Sequence, residues 1–360
     1  MGGDFHFNEW ALIGAPCDKI NETAAAISRS LSDLNIGYLD EEHHAAIDKS
    51  AFHTYYSNKI KYHHLRFKST LQQKQQRKYF NDLDLLLING NHFRGAKQIV
   101  FINEKKKESL KRKIDRLTDI RIIILENMTD IIYDFINELV DVNQVLVTDI
   151  NDIIGISQNI LKDFQLSKPP LYSLILAGGK SIRMGQDKGA IVYHQKAQRE
   201  HLAELVAPYC ADTFISCRNN QVDSIETQFK KLSDTFEGLG PYGGILSAFR
   251  AHPNHAWLTV ACDLPYMNQK TIEQLLSARD MSKVATCFHN PETAFPEPLI
   301  TIWEPRAYPI LLEFLSQGYS CPRKVLINTN IKEIEMADLM CMTNVNDQKE
   351  RDKFIKFQNR

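Results

Sequence analysis

The sequence predicts an α/β chain of two domains, each a mainly parallel sheet flanked by helices. Three observations carry that expectation. Short apolar runs alternate with helix-periodic stretches along the whole length, paired prolines at Pro169-Pro170 interrupt the alternation, and 360 residues is the size of about two ordinary domains. Strands buried on both faces read as continuous apolar runs, and helical crossovers between parallel strands supply the alternation. The boundary is expected at Lys168, giving domains 1–168 and 169–360, because proline cannot continue a preceding helix.

In the first domain "WALIGA" reads as a strand and "ETAAAISRSLSDL" as the helix after it. "DLDLLLING", "QIVFINE", "IRIIILE" and "QVLVTD" are further strands, with helical stretches at "KESLKRKIDRL" and "IIYDFINELV". "QQKQQRKYF", residues 72 to 80, is polar enough to be a mobile insertion. The second domain opens on the strand "SLILAGG". The helix "REHLAELVAPY", the strand "TFISC", the helix "GGILSAFRAH", the strand "WLTVACD", the helix "NQKTIEQLLSA", the strand "KVATCFH" and the helix "YPILLEFLSQG" follow, with no internal repeat.

Charge and cysteine usage narrow the function classes. With 43 basic against 44 acidic residues the chain has no global field for nucleic acid or an anionic membrane, so any anion site is local. Seven cysteines, spread from Cys17 to Cys341 without C-x-x-C spacing, fit neither a disulfide framework nor a zinc cage, and a reducing cytoplasm is the expected compartment. No stretch approaches the ~18 apolar residues of a membrane span. Gly2 invites a myristoylation reading, but the sixth residue is His6 rather than Ser or Thr.

"LILAGGKSIRMGQDKG" (Leu174 to Gly189) is the most informative stretch. A buried strand that empties into Ala177, Gly178 and Gly179 delivers bare backbone N–H groups to the carboxyl end of a sheet, where ligands of open α/β folds bind. Arg183 and Lys188 add positive charge. Farther on, Asp234 precedes a second glycine-rich turn, Gly240-Pro241-Tyr242-Gly243-Gly244, and "LTVACDLPYM" ends a strand in Asp263-Leu264-Pro265. "PEPLITIW" and "TNVND" complete the set. Singly these are turns and packing devices. Together they supply the parts for a nucleoside triphosphate and its metal: amides for phosphate oxygens, cations for charge, and a carboxylate for magnesium.

In order and spelling these residues resemble the molybdenum cofactor guanylyltransferases (MobA type), nucleotidyltransferases with a Rossmann-like fold. Leu176 to Lys188 match the motif L-A-G-G-x-x-x-R-M-G-x-D-K at every specified position, and the resemblance runs from about Leu171 to Phe354. It implies transfer of GMP from GTP to molybdopterin, as the molybdenum cofactor, with release of pyrophosphate. Leu176, Ala177, Gly178, Gly179 and Lys188 would hold the nucleotide, with Arg183 and Lys188 on its phosphates. Asp234 would contact the nucleoside, and Asp263 would take magnesium. Asn344 and Asn346 would lie on the acceptor side. The family's usual Gly-Pro-Leu-Ala-Gly turn reads with Tyr242 and Gly243 here, its Gly-Lys-Pro-Leu reads "HQKAQ" (His194 to Gln198), and Ser216 stands where asparagine is expected. These departures bear on base contacts and substrate fit more than on phosphate chemistry. A cytidylyl or sugar-phosphate nucleotidyltransferase shares the architecture, although such cytidylyl relatives show a Thr-Ala-Ala-Gly-like loop. A non-catalytic cofactor carrier or scaffold would leave Asp263 without a role.

"WALIGAPCDKINETAAAISRSL" has the strand-loop-helix layout of a phosphate-binding loop but fails G-x-x-x-x-G-K-[ST]. Counting from Gly14, Lys19 holds the second glycine's place, Ile20 the lysine's and Asn21 the hydroxyl's. "DLDLLLINGNHFRGAKQIVFI" resembles the Asp-x-(apolar)-Glu-Gly strand and following strand of MobB-type GTPases, with Asn89-Gly90 in place of Glu-Gly. The outline match, over about residues 1 to 165, implies a decayed GTPase kept for docking or homodimerisation; an unrelated α/β domain is the other reading.

Overall fold

A computed structural model describes residues 4–41, 54–58, 63–67, 70–127, 129–177, 188–345 and 350. The chain divides into two compact units, Met1–Ser167 and Lys168–Arg360. Both are α/β, each a mainly parallel sheet flanked by helices. No described helix is long and apolar enough to cross a membrane.

The first unit runs β1 (Glu9–Ile13), α1 (Cys17–Ser30), β2 (Ile36–Leu39), the antiparallel pair β3 (Thr54–Asn58) and β4 (His63–Phe67), and α2 (Gln73–Tyr79). It continues through β5 (Leu85–Asn89), β6 (Lys97–Ile102), α3 (Lys107–Lys111), β7 (Ile120–Leu125), α4 (Asp134–Asn137), β8 (Leu146–Asp149) and α5 (Ile153–Leu166). The six-stranded sheet has the order β2-β5-β1-β6-β7-β8, parallel throughout. Every residue of β1 and β5 is buried, as a sheet covered on both faces requires. On one face α1 buries Ile20, Ala24 and Ile27, and α5 buries Ile156 and Ile160, against Leu12, Leu87 and Phe101. The i, i+4, i+7 spacing on α1 is the stripe that lets a helix lie on a sheet. Within the polar stretch 72 to 80, Gln73–Tyr79 form the exposed helix α2. Gln72 and Gln75 cap its first turn reciprocally, a local device that polar composition conceals.

The second unit runs β9 (Leu171–Leu176), α6 (Gln198–Val206), β10 (Asp212–Cys217), β11 (Lys230–Ser233), α7 (Pro241–Ala251), β12 (Ala256–Ala261) and α8 (Gln269–Ser277). Then come β13 (Ala285–Asn290), β14 (Phe295–Trp303), α9 (Ala307–Ser316), α10 (Pro322–Ile327) and β15 (Lys332–Glu335). The seven-stranded sheet has the order β11-β10-β9-β12-β14-β13-β15, with β14 antiparallel to both neighbours. The period of two along strands splits the core into two layers. Ile175, Leu258 and Val260 face α6 and α8, whereas Leu174 and Trp257 face α7, α9 and α10. A buried bidentate pair, Arg279 to Glu304 at 2.6 and 2.9 Å, also reaches the linker, since Arg279 donates to the carbonyl of Pro169 at 2.9 Å.

This topology puts a switch point in the middle of the sheet. From β9 the chain moves to β10 and β11 on one side and then returns to β12 on the other, so the order reverses between β9 and β12. Open α/β sheets bind ligands in the crevice beyond the carboxyl ends of the strands at such a point. Register brings Leu176 level with Ser216 on β10 and Ala261 on β12, and these three mark the edge of that crevice.

Candidate active site at the sheet's switch point

Each strand end at this edge delivers a residue expected from the sequence. Leu176, half-buried, ends β9, and Ala177 is buried just beyond it. Gly178, Gly179 and Arg183 lie outside the described residues, as does Asn346. The chain re-enters at a short turn, Lys188–Ala190, close to where it left. A Cβ on Gly189 would come within 3.1 Å of Ala177 Cβ, so the two ends of the glycine-rich segment meet beside β9.

Asp234 follows β11. Its Oδ1 accepts from Ser216 Oγ at 2.8 Å, and its N–H donates to Cys217 at 2.9 Å. Burial pushes its carboxyl above the usual carboxylate range, against the lowering effect of the Ser216 hydrogen bond. Gly244 explains the second glycine turn, because a Cβ there would stand 2.9 Å from both Leu176 Cδ2 and Ser216 Oγ. Glycine lets the first turn of α7 press against the crevice wall. Tyr242 is not part of this wall; it is fully buried, and its hydroxyl donates to the carbonyl of Leu311 on α9 at 2.6 Å.

Asp263 stands two residues beyond β12. The preceding Cys262 N–H donates to the carbonyl of Leu176, which ties this turn to the start of the glycine-rich segment. Four consecutive carbonyls of the turn are held from other parts of the unit. Val345 N–H donates to Asp263 O at 2.9 Å, Gln198 Nε2 to Leu264 O at 3.3 Å, His194 Nε2 to Pro265 O at 2.8 Å and Cys341 Sγ to Tyr266 O at 3.2 Å. A carbonyl only accepts, so the His194 proton sits on Nε2. Asn344 is exposed beside the buried Val345, which packs with Ile191, Tyr193 and Tyr266.

Sequence reasoning treated the 194–198 segment only as a departure. The structure shows His194 stacked on His201 with ring centres 3.9 Å apart. Burial, then the neighbouring His194, push His201 down to about 4. Gln195 at φ 63° and the Val192–Ala197 bridge make this segment a tight hairpin that carries His194 and Gln198 to the turn.

In the first unit the loop after β1 is closed on itself. Gly14 has φ +97°, and a Cβ there would meet the Phe101 carbonyl at 2.6 Å. Lys19 donates to Glu126 Oε1 at 2.7 Å, and Asn103 holds the same oxygen at 2.5 Å. Burial raises the Glu126 carboxyl, but these hydrogen bonds outweigh it and hold it below its ordinary range. Ile20 is buried in the core and Asn21 is exposed.

Comparison with known proteins places the second unit. Residues 173–333 match the model of the MobA-like NTP transferase domain. A molybdenum cofactor biosynthesis bifunctional protein of Synechocystis is 36% identical over 182 residues, 50% of this chain and 52% of that protein, so the match spans about half of that relative's length. A molybdenum cofactor guanylyltransferase of Vibrio campbellii is 30% identical over 50% of this chain and 93% of its own length. The crystal structure of molybdopterin-guanine dinucleotide biosynthesis protein A from Archaeoglobus fulgidus covers 52% of this chain and 98% of its own, at 20% identity and a TM-score of 0.45. The Vibrio campbellii relative, 30% identical and matched over 93% of its length, together with the domain model on residues 173–333, shows that the chain belongs to the molybdenum cofactor guanylyltransferase family, nucleotidyltransferase enzymes of molybdenum cofactor biosynthesis.

Proposed function

We propose that residues 168–360 transfer GMP from GTP to molybdopterin, as the molybdenum cofactor, and release pyrophosphate. The observation that carries this reading is the meeting of the glycine-rich segment's two ends, Asp234 and the Asp263 turn at the carboxyl edge of β9, β10 and β12. In the proposed step an oxygen of the acceptor's phosphate attacks the α-phosphorus of GTP in line. The bond from that phosphorus to the β-phosphate's bridging oxygen breaks, and pyrophosphate leaves with its electron pair. No protein nucleophile is required, so the chain contributes positioning and neutralisation of charge.

Gly178 and Gly179 amides would hold phosphate oxygens with Lys188 and Arg183, while Leu176, Ala177 and Asp234 receive the nucleoside. Asn344 and Asn346 would face the acceptor, a role supported by the tie between Val345 and Asp263. Among the described residues no group of three His, Cys, Asp or Glu could hold a metal by itself. One carboxylate on a turn whose carbonyls are already engaged instead fits magnesium, which keeps waters and shares phosphate oxygens. When bound, magnesium would neutralise charge developing on the phosphates, with Asp263 as its protein ligand.

The test is incubation of the full chain with magnesium, molybdopterin and each of the four triphosphates. Pyrophosphate release with GTP supports the reading; no release, or faster release with CTP, would overturn it.

For residues 1–167 we infer a decayed MobB-like domain that serves association, including self-association, rather than GTP turnover. The Lys19–Glu126 pair supports this, because the lysine that follows the loop after β1 is already paired with a carboxylate of the same unit.

A further inference from the structure

Gln198 is the first residue of α6 and is fully buried. Burying an amide at that depth is unfavourable unless its polar atoms are satisfied. Its backbone N–H donates to the Ile191 carbonyl at 2.8 Å and its Nε2 to the Leu264 carbonyl at 3.3 Å. Oε1 has no partner among the described residues. Flipping the amide would set two oxygens face to face, so Nε2 is fixed on Leu264. Leucine, the residue the resemblance leads one to expect here, would fill the same space without this polar cost. The amide is therefore kept for what it holds, the residue immediately after Asp263.

We propose that Gln198 is a positioning residue for Asp263: with the His194 imidazole on Pro265, it ties the Asp263 turn to the segment that returns from the glycine-rich loop. The His194 contact is short, at 2.8 Å, and the Gln198 contact longer, at 3.3 Å, and the two hold neighbouring carbonyls. Ile191 and Tyr193 pack on Val345, whose N–H holds the Asp263 carbonyl, so the hairpin grips the turn from its apolar side as well. The backbone beside Asp263 is thereby set relative to Leu176 and to residues 191–198, all within the described chain. Outer partners of this kind typically govern metal affinity by about 10–100-fold.

This inference rests on the reading of Asp263 as the ligand of a nucleotide-bound divalent cation. Its test is Gln198→Leu in the full chain, followed by electron paramagnetic resonance of bound Mn2+ with GTP, by GTP affinity in EDTA and by turnover. Leu264 O keeps the Met267 N–H at 3.3 Å, and the substitution also removes the unpartnered Oε1, so the variant should fold. The expected result is Mn2+ affinity weakened by about tenfold or more and kcat lowered with it, while metal-free GTP affinity stays within about twofold. His194→Phe, which keeps the ring stack but loses the donor, should act alike, and His194→Gln, which restores an N–H, should recover most of the loss. Wild-type Mn2+ affinity and kcat in Gln198→Leu would overturn the proposal, as would equal losses of metal-dependent and metal-free GTP binding. Failure of wild type itself to bind Mn2+ with GTP would instead remove the functional reading, and the inference would fall with it.

Discussion

The N–H of Val345 donates to the carbonyl of Asp263 at 2.9 Å, which makes the segment bearing Asn344 and the turn bearing the carboxylate one structural piece. The turn is thus held through its backbone, at four consecutive carbonyls from Asp263 to Tyr266.

Asp263→Asn should accordingly leave the thermal midpoint within about 2–4 °C of wild type, the shift of a roughly 1 kcal/mol change. Magnesium-dependent pyrophosphate release should fall by about 10³-fold, because an amide lacks the anionic oxygen a hard cation takes. Near-normal release by the purified variant would dissociate Asp263 from the metal.

Asp234 carries the opposite balance. A carboxylate whose folded pKa is raised favours its protonated form in the folded state, so it costs stability above that pKa, and the cost disappears as pH falls below the unfolded value. Asp234→Asn should raise the midpoint at pH 7.5 by about 2–4 °C and weaken GTP binding by about tenfold or more. Paired melting curves and GTP titrations check this; a lower midpoint with unchanged affinity would refute both halves.

His201 sets an acid limit. Its folded pKa near 4 lies below the unfolded value of about 6.5, so the unfolded chain takes up the proton first. Stability is fully present above pH 6.5 and is lost as pH falls from there toward 4. Urea midpoints measured at pH 7.5, 5.5 and 4.5 should decline less steeply in His201→Phe, which keeps a ring on His194. Parallel declines in the two proteins would show that other groups dominate.

Counting nucleotides separates the two units. Equilibrium dialysis of the full chain against GTP and magnesium should saturate at one equivalent, with no phosphate released, because Ile20 and Asn21 occupy the two chemical positions of the loop after β1. A second equivalent, or measurable hydrolysis, would make the amino-terminal unit an active nucleotide switch.

Much of the second unit was legible because its candidate site is written in backbone. A strand that ends in Leu-Ala-Gly-Gly and another that ends in Asp-Leu-Pro announce a crevice without any knowledge of neighbours. Tyr242 was harder to read: on the page it looked like a change near the base, but its hydroxyl belongs to α9, 69 residues away in the chain. Gln198 and His194 were opaque for the same reason, since their partners at Leu264 and Pro265 are brought near only by the switch from β9 to β12. β2 and β15, four residues each and lacking fully buried residues, carry too little periodicity to be read as strands. In the amino-terminal loop the sequence showed which residues were wrong for phosphate, but not that Glu126 had taken the lysine.

The contact from Arg279 to the Pro169 carbonyl decides where the catalytic module begins as a transplantable part. The two prolines look like neutral spacer, yet the first supplies the acceptor for a guanidinium buried against Glu304. A graft that starts at Leu171 would discard that acceptor and strand an N–H in the interior, whereas one that starts at Lys168 carries its own seal. Domain shuffling of this chain, in the laboratory or in evolution, therefore has its natural seam on the amino-terminal side of the prolines.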